Sequence, residues 1–329
     1  MIVVRAPFRV SFLGGGSDLP YFYQQHQGAV LSTAINRHMF LTGRDMYDKS
    51  TSLLKYSSTE TFSDYNQIRH PIFREVFRMF KLEGVDIGVS SDIPAGSGLG
   101  SSSTFTVALV ALVNKLQNLG LGEMEIAELA CEIEIEKLGE PIGKQDQFAS
   151  AFGGMNLFTF AKSGLVTVRP FVPTKTQMEW LSSSLFLAEV GGIGRSAGAA
   201  LIQVQAHVQK NQSATQATKD LADLAIQGFH QIQSSGIETL TSLLNEAWRL
   251  KKIANPSVLM SAGSAVRELG MSNGAIAGKL LGAGGGGFVL FVVEAPEREK
   301  FLESMVGKRL LKIQPDSTGV SVVYEEEDK

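Results

Sequence analysis

The sequence predicts a soluble chain of mixed α and β structure, on three observations. The 329 residues are 44% apolar and 19% charged, the balance of an ordinary globular protein, and are enough for two domains or one large one. Short β-patterned runs alternate with helical ones in the first half, and helices dominate the second half to about residue 270. One glycine- and serine-rich turn, Pro94-Ala-Gly-Ser-Gly-Leu-Gly-Ser-Ser-Ser-Thr104, runs straight into an apolar helix from Phe105 to about Leu116.

Taken in order, residues 2–13 read as a strand broken at Pro7, and Gly14-Gly15-Gly16-Ser17-Asp18 as a tight turn ending in a carboxylate. Residues 28–48 hold two apolar runs around Asn36, expected as paired strands; residues 49–66 read as a strand and a loop. Residues 70–82 carry Ile72, Phe73, Val76, Phe77 and Phe80 at helical spacing. Val85-Asp86-Ile87-Gly88-Val89 is a strand that delivers the chain to the turn at Pro94. There Gly96, Gly98 and Gly100 permit positive φ and a close approach to a ligand, while Ser101, Ser102 and Ser103 offer hydroxyls and an N-cap. The first N–H groups of a helix lack internal partners and sit at the positive end of its dipole. A loop and helix start of this kind binds anions, phosphate being the usual one.

Glu123 to Leu138 forms the next helix. At about 100° per residue, Ile126, Ala127, Leu129, Ala130, Ile133 and Leu138 fall on one arc and Glu125, Glu128, Glu132 and Glu136 on the other. Glu134 falls inside the apolar arc, where a carboxylate needs a partner. Bound Mg²⁺ and a buried Lys or Arg satisfy that need equally well at this point. Lys144 and Asp146 follow in a glycine-bounded turn with an apolar helical turn behind them, a position that suits a carboxylate at a cleft or a simple helix cap. Strands are expected near 155–160 and 165–172, and composition changes around Pro170 and Pro173. A strand at Leu185–Val190 ends in Gly191-Gly192-Ile193-Gly194-Arg195-Ser196, which reads equally as an anion site or as a surface arginine beside a turn. Residues 203–219 read as a solvated helical hairpin. Gly282, Gly284 and Gly287 match G-x-G-x-x-G, but a strand follows them where a dinucleotide site requires a helix; a glycine-rich hairpin turn packed on another loop fits better.

Several function classes are excluded. The net charge of −3, with mixed signs, gives no basic bias toward nucleic acid or an anionic membrane. No apolar run approaches the ~18 residues of a membrane span, and the N-terminus has no signal-peptide pattern. Cys131 is the single cysteine, so no internal disulfide forms, which fits a reducing, cytoplasmic setting. The five histidines show no metal-ligand spacing.

Three segments together resemble the GHMP small-molecule kinases: Ala6-Pro7-Phe8-Arg9-Val10-Ser11-Phe12-Leu13-Gly14-Gly15-Gly16-Ser17-Asp18, then Pro94 to Ser103, then Lys279 to Phe288. Gly15-Gly16 stands where a Glu-His pair is common in the family. The variants Gly-Lys-Gln-Asp-Gln and Gly-Arg-Ser-Ala look like the heptose 7-phosphate kinase branch. The resemblance implies a two-domain α+β fold. Residues 1–172 would be an ATP-binding α/β domain like that of a ribosomal protein, with a left-handed crossover. Residues 173–329 would be a ferredoxin-like α+β domain. It also implies roles. Pro94, Gly96, Ser97, Gly98, Leu99, Gly100, Ser101, Ser102 and Ser103 would wrap the ATP phosphates, with Gly284, Gly285 and Gly286 in the C-terminal glycine motif. Ser102 and Glu134 would hold Mg²⁺, with Glu136 as fallback on the wrong side of its helix. Asp146 would take or orient the sugar hydroxyl's proton, with Arg9 beside it balancing phosphoryl charge. Asp18, with Ser17 beside it in the turn, would bind sugar hydroxyls. Lys144, Gly194 and Arg195 would grip the phosphate the sugar already carries. The expected activity is ATP-dependent phosphorylation of a small-molecule sugar phosphate at its anomeric hydroxyl, in a monomer or homodimer. A free-sugar kinase, such as a fucokinase, and a non-catalytic ATP and sugar sensor are the alternatives.

Overall fold

The computed structural model describes residues 1–191, 197–260, 262–282 and 286–326. In chain order the elements begin β1 (Ile2–Leu13), α1 (Pro20–Tyr23), β2 (Gly28–Asp45), β3 (Ser52–Lys55), β4 (Thr59–Phe62), α2 (Pro71–Phe80) and β5 (Val85–Ser91). There follow α3 (Ser101–Leu116), α4 (Glu123–Cys131), α5 (Gln145–Phe152), β6 (Met155–Phe160) and β7 (Val166–Phe171). The second half contains α6 (Lys175–Ser184), β8 (Leu185–Gly191), α7 (Ala197–Lys210), α8 (Gln212–Ser235), α9 (Leu240–Ala254) and α10 (Ala262–Ser272). It closes with β9 (Ala275–Leu280), β10 (Gly287–Val293), α11 (Arg298–Ser304), β11 (Leu310–Lys312) and β12 (Ser321–Glu325).

Two sheets organise these elements. In the first the order is β12-β1-β2-β5-β3-β4, and β6 pairs with both β2 and β7. Two expectations are corrected here. Pro7 does not break β1, which continues through it with register shifts between Pro7 and Arg9 and between Ser11 and Leu13. Residues 28–45 form one strand, with no reversal at Asn36. β2 stays paired with β1, while its start pairs with β6 and its end with β5. Asn36 instead fastens a distant segment: its N–H donates to the Gln314 carbonyl, and its side-chain oxygen accepts from the Gln314 N–H, both at 2.9 Å.

The second sheet has the order β11-β8-β10-β9 and is wholly antiparallel. With helices between β8 and β9 and α11 between β10 and β11, this is the βαββαβ connectivity and strand order of a ferredoxin-like unit. After this unit the chain returns to the first sheet. β12 belongs to the first sheet, where it pairs antiparallel with β1, and Pro315 bridges Ile35.

The core lies where β1 and β2 meet α3. That helix is apolar around its whole circumference and is buried from Ser103 to Val113, as such a helix must be. It starts at Ser101, so the three serines form its first turn. The cap is Gly100, in the left-handed region at φ 81°. The expected solvated hairpin is present as α7 and α8, but α8 is half core: Ala214, Ala217, Leu221, Ala225, Phe229 and Ile232 face inward. Among the described residues no helix is long and apolar enough to cross a membrane.

Candidate active site

The phosphate-loop candidate follows β5 and alternates in burial. Ser97 and Leu99 are buried, while Gly96, Gly98 and Gly100 are partly exposed and Pro94 is exposed. All three glycines have positive φ (73°, 75° and 81°), the conformation that turns successive N–H groups to one side. The Gly96 N–H donates to Ser101 Oγ at 3.2 Å, closing the loop onto the helix start. Ser97 turns inward and its hydroxyl accepts from the Leu99 N–H at 3.4 Å, so it shapes the loop with its side chain away from the cleft.

Arg9 and Asp146 are brought together from opposite ends of the first half. Arg9, 4% exposed on β1, donates from Nε to Asp146 Oδ1 at 2.6 Å, and its Nη2 lies 2.5 Å from the same oxygen. Its Nη1 donates to the Gly98 carbonyl at 3.0 Å. One guanidinium therefore ties the carboxylate to the loop. A Cβ on Gly100 would meet Asp146 Oδ2 at 2.9 Å, so glycine here lets the carboxylate lie against the helix start.

Glu134 forms a second cluster beside the first. α4 gives way to a π-helical turn over Glu132–Lys137, a wider winding that seats Glu134 fully buried and leaves Glu136 exposed. Ser102 Oγ donates to Glu134 Oε1 and Gln147 Nε2 to Oε2, each at 2.7 Å. Burial pushes the carboxyl up to about 7, against the hydrogen bonds of Ser102, Gln147 and Ser103; the Asp146 charge adds to the rise. Both Glu134 oxygens are thus held by neutral donors, with no Lys or Arg at ion-pair distance among the described residues, which goes against the ion-pair alternative. Gln147 stands next to Asp146 in the first turn of α5, so one helical turn serves both clusters.

Asp18 is buried, with Oδ1 accepting from the Gly16 N–H at 3.0 Å and Oδ2 from the Gln145 N–H at 3.4 Å. Burial first, and then the like charge of Asp146, raise its pKa against those N–H groups. Gly143 makes room for it: a Cβ there would lie 1.9 Å from Asp18 Oδ2.

Two expected substrate ligands are placed differently. Ser17 is wholly buried; its hydroxyl donates to the Gly14 and Ala29 carbonyls and accepts from the Ala29 N–H, so it braces the turn. Lys144 donates to the Gly164 carbonyl at 2.8 Å and lies over the Tyr23 ring. It lines a groove with Glu125, Glu128, Glu132 and Glu136, away from the Arg9–Asp146 cluster. Gly194, Arg195, Gly284 and Gly285 lie outside the described residues. Gly286 leads into β10, with φ 151°. Around it the glycine turn packs backbone to backbone on the phosphate loop, as expected. A Cβ on Gly287 would meet the Ser97 carbonyl oxygen at 2.2 Å, and one on Gly282 would meet Gly98 Cα at 2.9 Å. Sequence reasoning missed Gln147, Gly143 and the lysines Lys251 and Lys279. Gln147 and Gly143 flank Asp146 within the quoted Gly-Lys-Gln-Asp-Gln run, so proximity was the available signal for them.

A carboxylate paired with an arginine, a glycine loop at a helix start and a second, buried carboxylate are the kinds of parts that phosphoryl transfer uses. Residues 67–154 match the GHMP kinases N terminal domain and residues 229–310 the GHMP kinases C terminal family. The chain is 30% identical over 322 residues to the D-glycero-alpha-D-manno-heptose 7-phosphate kinase of Campylobacter jejuni subsp. jejuni serotype O:2, covering 92% of this chain and 93% of that one. It is 26% identical to the bifunctional fucokinase/GDP-fucose pyrophosphorylase of Arabidopsis thaliana, over 91% of this chain and 30% of that longer protein. A solved D-glycero-D-manno-heptose 1-phosphate kinase from Bacteriodes thetaiotaomicron superposes with a TM-score of 0.81 at 25% identity, covering 99% of this chain and all of that one. The chain belongs to the GHMP kinases, phosphotransferases that use ATP and an alcohol acceptor.

Proposed function

We propose that the protein transfers the γ-phosphoryl group of ATP to the anomeric C1 hydroxyl of D-glycero-D-manno-heptose 7-phosphate, giving the 1,7-bisphosphate and ADP. The full-length likeness to a heptose 7-phosphate kinase supports the choice of sugar. The observation that carries the chemistry is the Arg9 guanidinium shared between Asp146 and the Gly98 carbonyl, because it sets a base beside the loop that receives phosphates.

In this reading the N–H groups of Gly98 and of Gly100 to Ser103 take the triphosphate, while those of Gly96 and Leu99 hold the loop's shape. The sugar lies over Asp18 with its C1 hydroxyl toward Asp146. The hydroxyl oxygen attacks the γ-phosphorus in line, the bond to the β,γ-bridging oxygen breaks, and the proton passes to the Asp146 carboxylate. Arg9 offsets negative charge growing on the transferred group. Ser102 and Glu134 would hold Mg²⁺, whose chemistry is neutralisation of phosphate charge. They fit it: a buried carboxylate with no ion-pair partner among the described residues, beside a hydroxyl at the start of the loop's helix, is the oxygen donor set that a hard cation would take. Arg195, and Lys144 after a turn away from Gly164, remain the candidates for the sugar's own phosphate. The enzyme would work in the cytoplasm as a monomer or homodimer.

Incubation with ATP, Mg²⁺ and the heptose 7-phosphate, followed by ³¹P and ¹³C NMR, should show ADP and a phosphate split onto C1. Phosphate at another carbon, or no turnover, would refute the assignment. The likeness to a fucokinase supports a free-sugar kinase as the second reading. Arg195→Ala separates the two, since it should raise KM for a phosphorylated sugar far more than for a free one.

A further inference from the structure

Two lysines outside the catalytic clusters put their ammonium groups among carbonyls. Lys279, on β9, is 3% exposed, and its Nζ donates to the carbonyls of Ser11 at 3.2 Å and Phe12 at 2.9 Å, both on β1. Lys251, on α9, donates to the carbonyls of Leu280 at 2.7 Å and Gly282 at 2.8 Å. These two carbonyls bracket the point where β9 runs out into the glycine turn. Neither lysine has a carboxylate partner among the described residues.

This arrangement opposes itself. Burial lowers the pKa of both amines: Lys251 to about 7, with the Arg9 charge adding to the fall, and Lys279 well below its usual value, with Lys251 and Arg9 adding to it. Arg9 and Lys279 are the charged groups that face Lys251, and both are cations. Of the three, Arg9 alone has a carboxylate beside it. Carbonyls offset part of the loss of water around an ammonium, but an apolar side chain would fill such a seam at lower cost. What lies next to the group is the phosphate loop. Gly282, held through its carbonyl by Lys251, packs its Cα region on Gly98, whose own carbonyl takes Arg9.

We propose that Lys251 and Lys279 are positioning residues for the nucleotide: Lys251 fixes Gly282, which packs on Gly98 of the phosphate loop, Lys279 ties β9 to β1, and the two amines, charged when a triphosphate is bound, place positive charge behind the loop. The proposal rests on the reading of the Gly96–Ser103 loop as the ATP phosphate site. It concerns the donor alone and is independent of which sugar accepts. The anion it serves is a nucleoside triphosphate, with the lysines one layer behind the N–H groups that touch it.

The test compares wild type with Lys251→Met, Lys251→Arg and Lys279→Met. Affinity for a non-hydrolysable ATP analogue is measured by calorimetry, KM for ATP and for the sugar separately, and Tm alongside. Lys251→Met should weaken nucleotide binding about tenfold, since a cation one layer behind the loop attracts the triphosphate without touching it, with KM for the sugar and Tm little changed. Lys251→Arg should restore most of the affinity, and serves as the readout if either Met variant does not fold. Unaltered nucleotide affinity in Lys251→Met, or equal losses for both substrates together with a lowered Tm, would overturn the proposal and leave the kinase reading standing. A wild-type protein that takes no nucleotide would overturn both.

Discussion

At the scale of single residues the site is a problem in placing charge. Asp146 is the group to remove first. Asp146→Asn keeps the shape beside Gly100 but offers no carboxylate to accept a proton, so kcat should fall about 10²-fold or more while KM for ATP changes little. Steady-state kinetics with each substrate varied decides this, and near-normal turnover would take Asp146 out of the chemistry. Glu134 allows a prediction about pH. Its carboxyl titrates near 7 in the fold against an ordinary 4.5. Between those values the folded protein keeps a proton that the unfolded chain has released, so in metal-free buffer this group lowers stability as pH rises through that window. Glu134→Gln has no such slope. Melted in EDTA, it should match wild type near pH 5, be the more stable of the two at pH 8, and be inactive at both. Parallel melting curves across that range would sink the argument. Glu134 was legible in the sequence because a carboxylate on an apolar arc is conspicuous. What holds it was not, since the choice between a metal and a cation depends on which distant side chains arrive. The Arg9–Asp146 contact joins positions 137 residues apart and came only through the family resemblance.

Elements carry the next scale of argument. Loops that look permissive are tightly specified by what packs on them. Gly143 is the sharpest instance: Gly143→Ala would drive a methyl into Asp18 Oδ2, so KM for the sugar should rise several-fold or more with KM for ATP nearly unchanged. Equal KM values in wild type and variant would show that Asp18 does not depend on this turn. The alternating strands, the apolar α3 and the hairpin of β9 and β10 follow from periodicity and composition, which are local. Residues 28–48 read as two paired strands for an equally physical reason, though the structure has one strand there. Asn36 is a residue common in turns, but β1 pairs on both sides of it and Gln314 bonds both its backbone and its side chain, so the strand stays extended. The π-helical turn over Glu132–Lys137 has no signature in the spacing, although the inward face of Glu134 does, and Lys144, read as a phosphate ligand, is claimed by the Gly164 carbonyl that the fold brings beside it.

For the whole molecule, the closing segment matters more than its exposure suggests. β12 is largely exposed, yet the approach to it is fixed. Val320 donates to the Ser150 carbonyl, and Gly319 packs so closely that a Cβ would meet the Ala151 carbonyl oxygen at 2.0 Å. A chain ended after Lys312 would lose this seal over α5, the helix that bears Asp146, as well as the edge partner of β1. Tm should fall by about 4 °C or more, of the order expected for losing 1–2 kcal/mol in a chain of this size. An unchanged melting curve would make the segment an ornament. The pairing of β1 with β12 also has a temporal side. During synthesis β1 leaves the ribosome while roughly 300 residues are still unmade, so at ~5–20 residues per second its outer edge waits open for a quarter of a minute or more. The nascent first half must shield that edge, or borrow a chaperone, until translation delivers the strand that covers it.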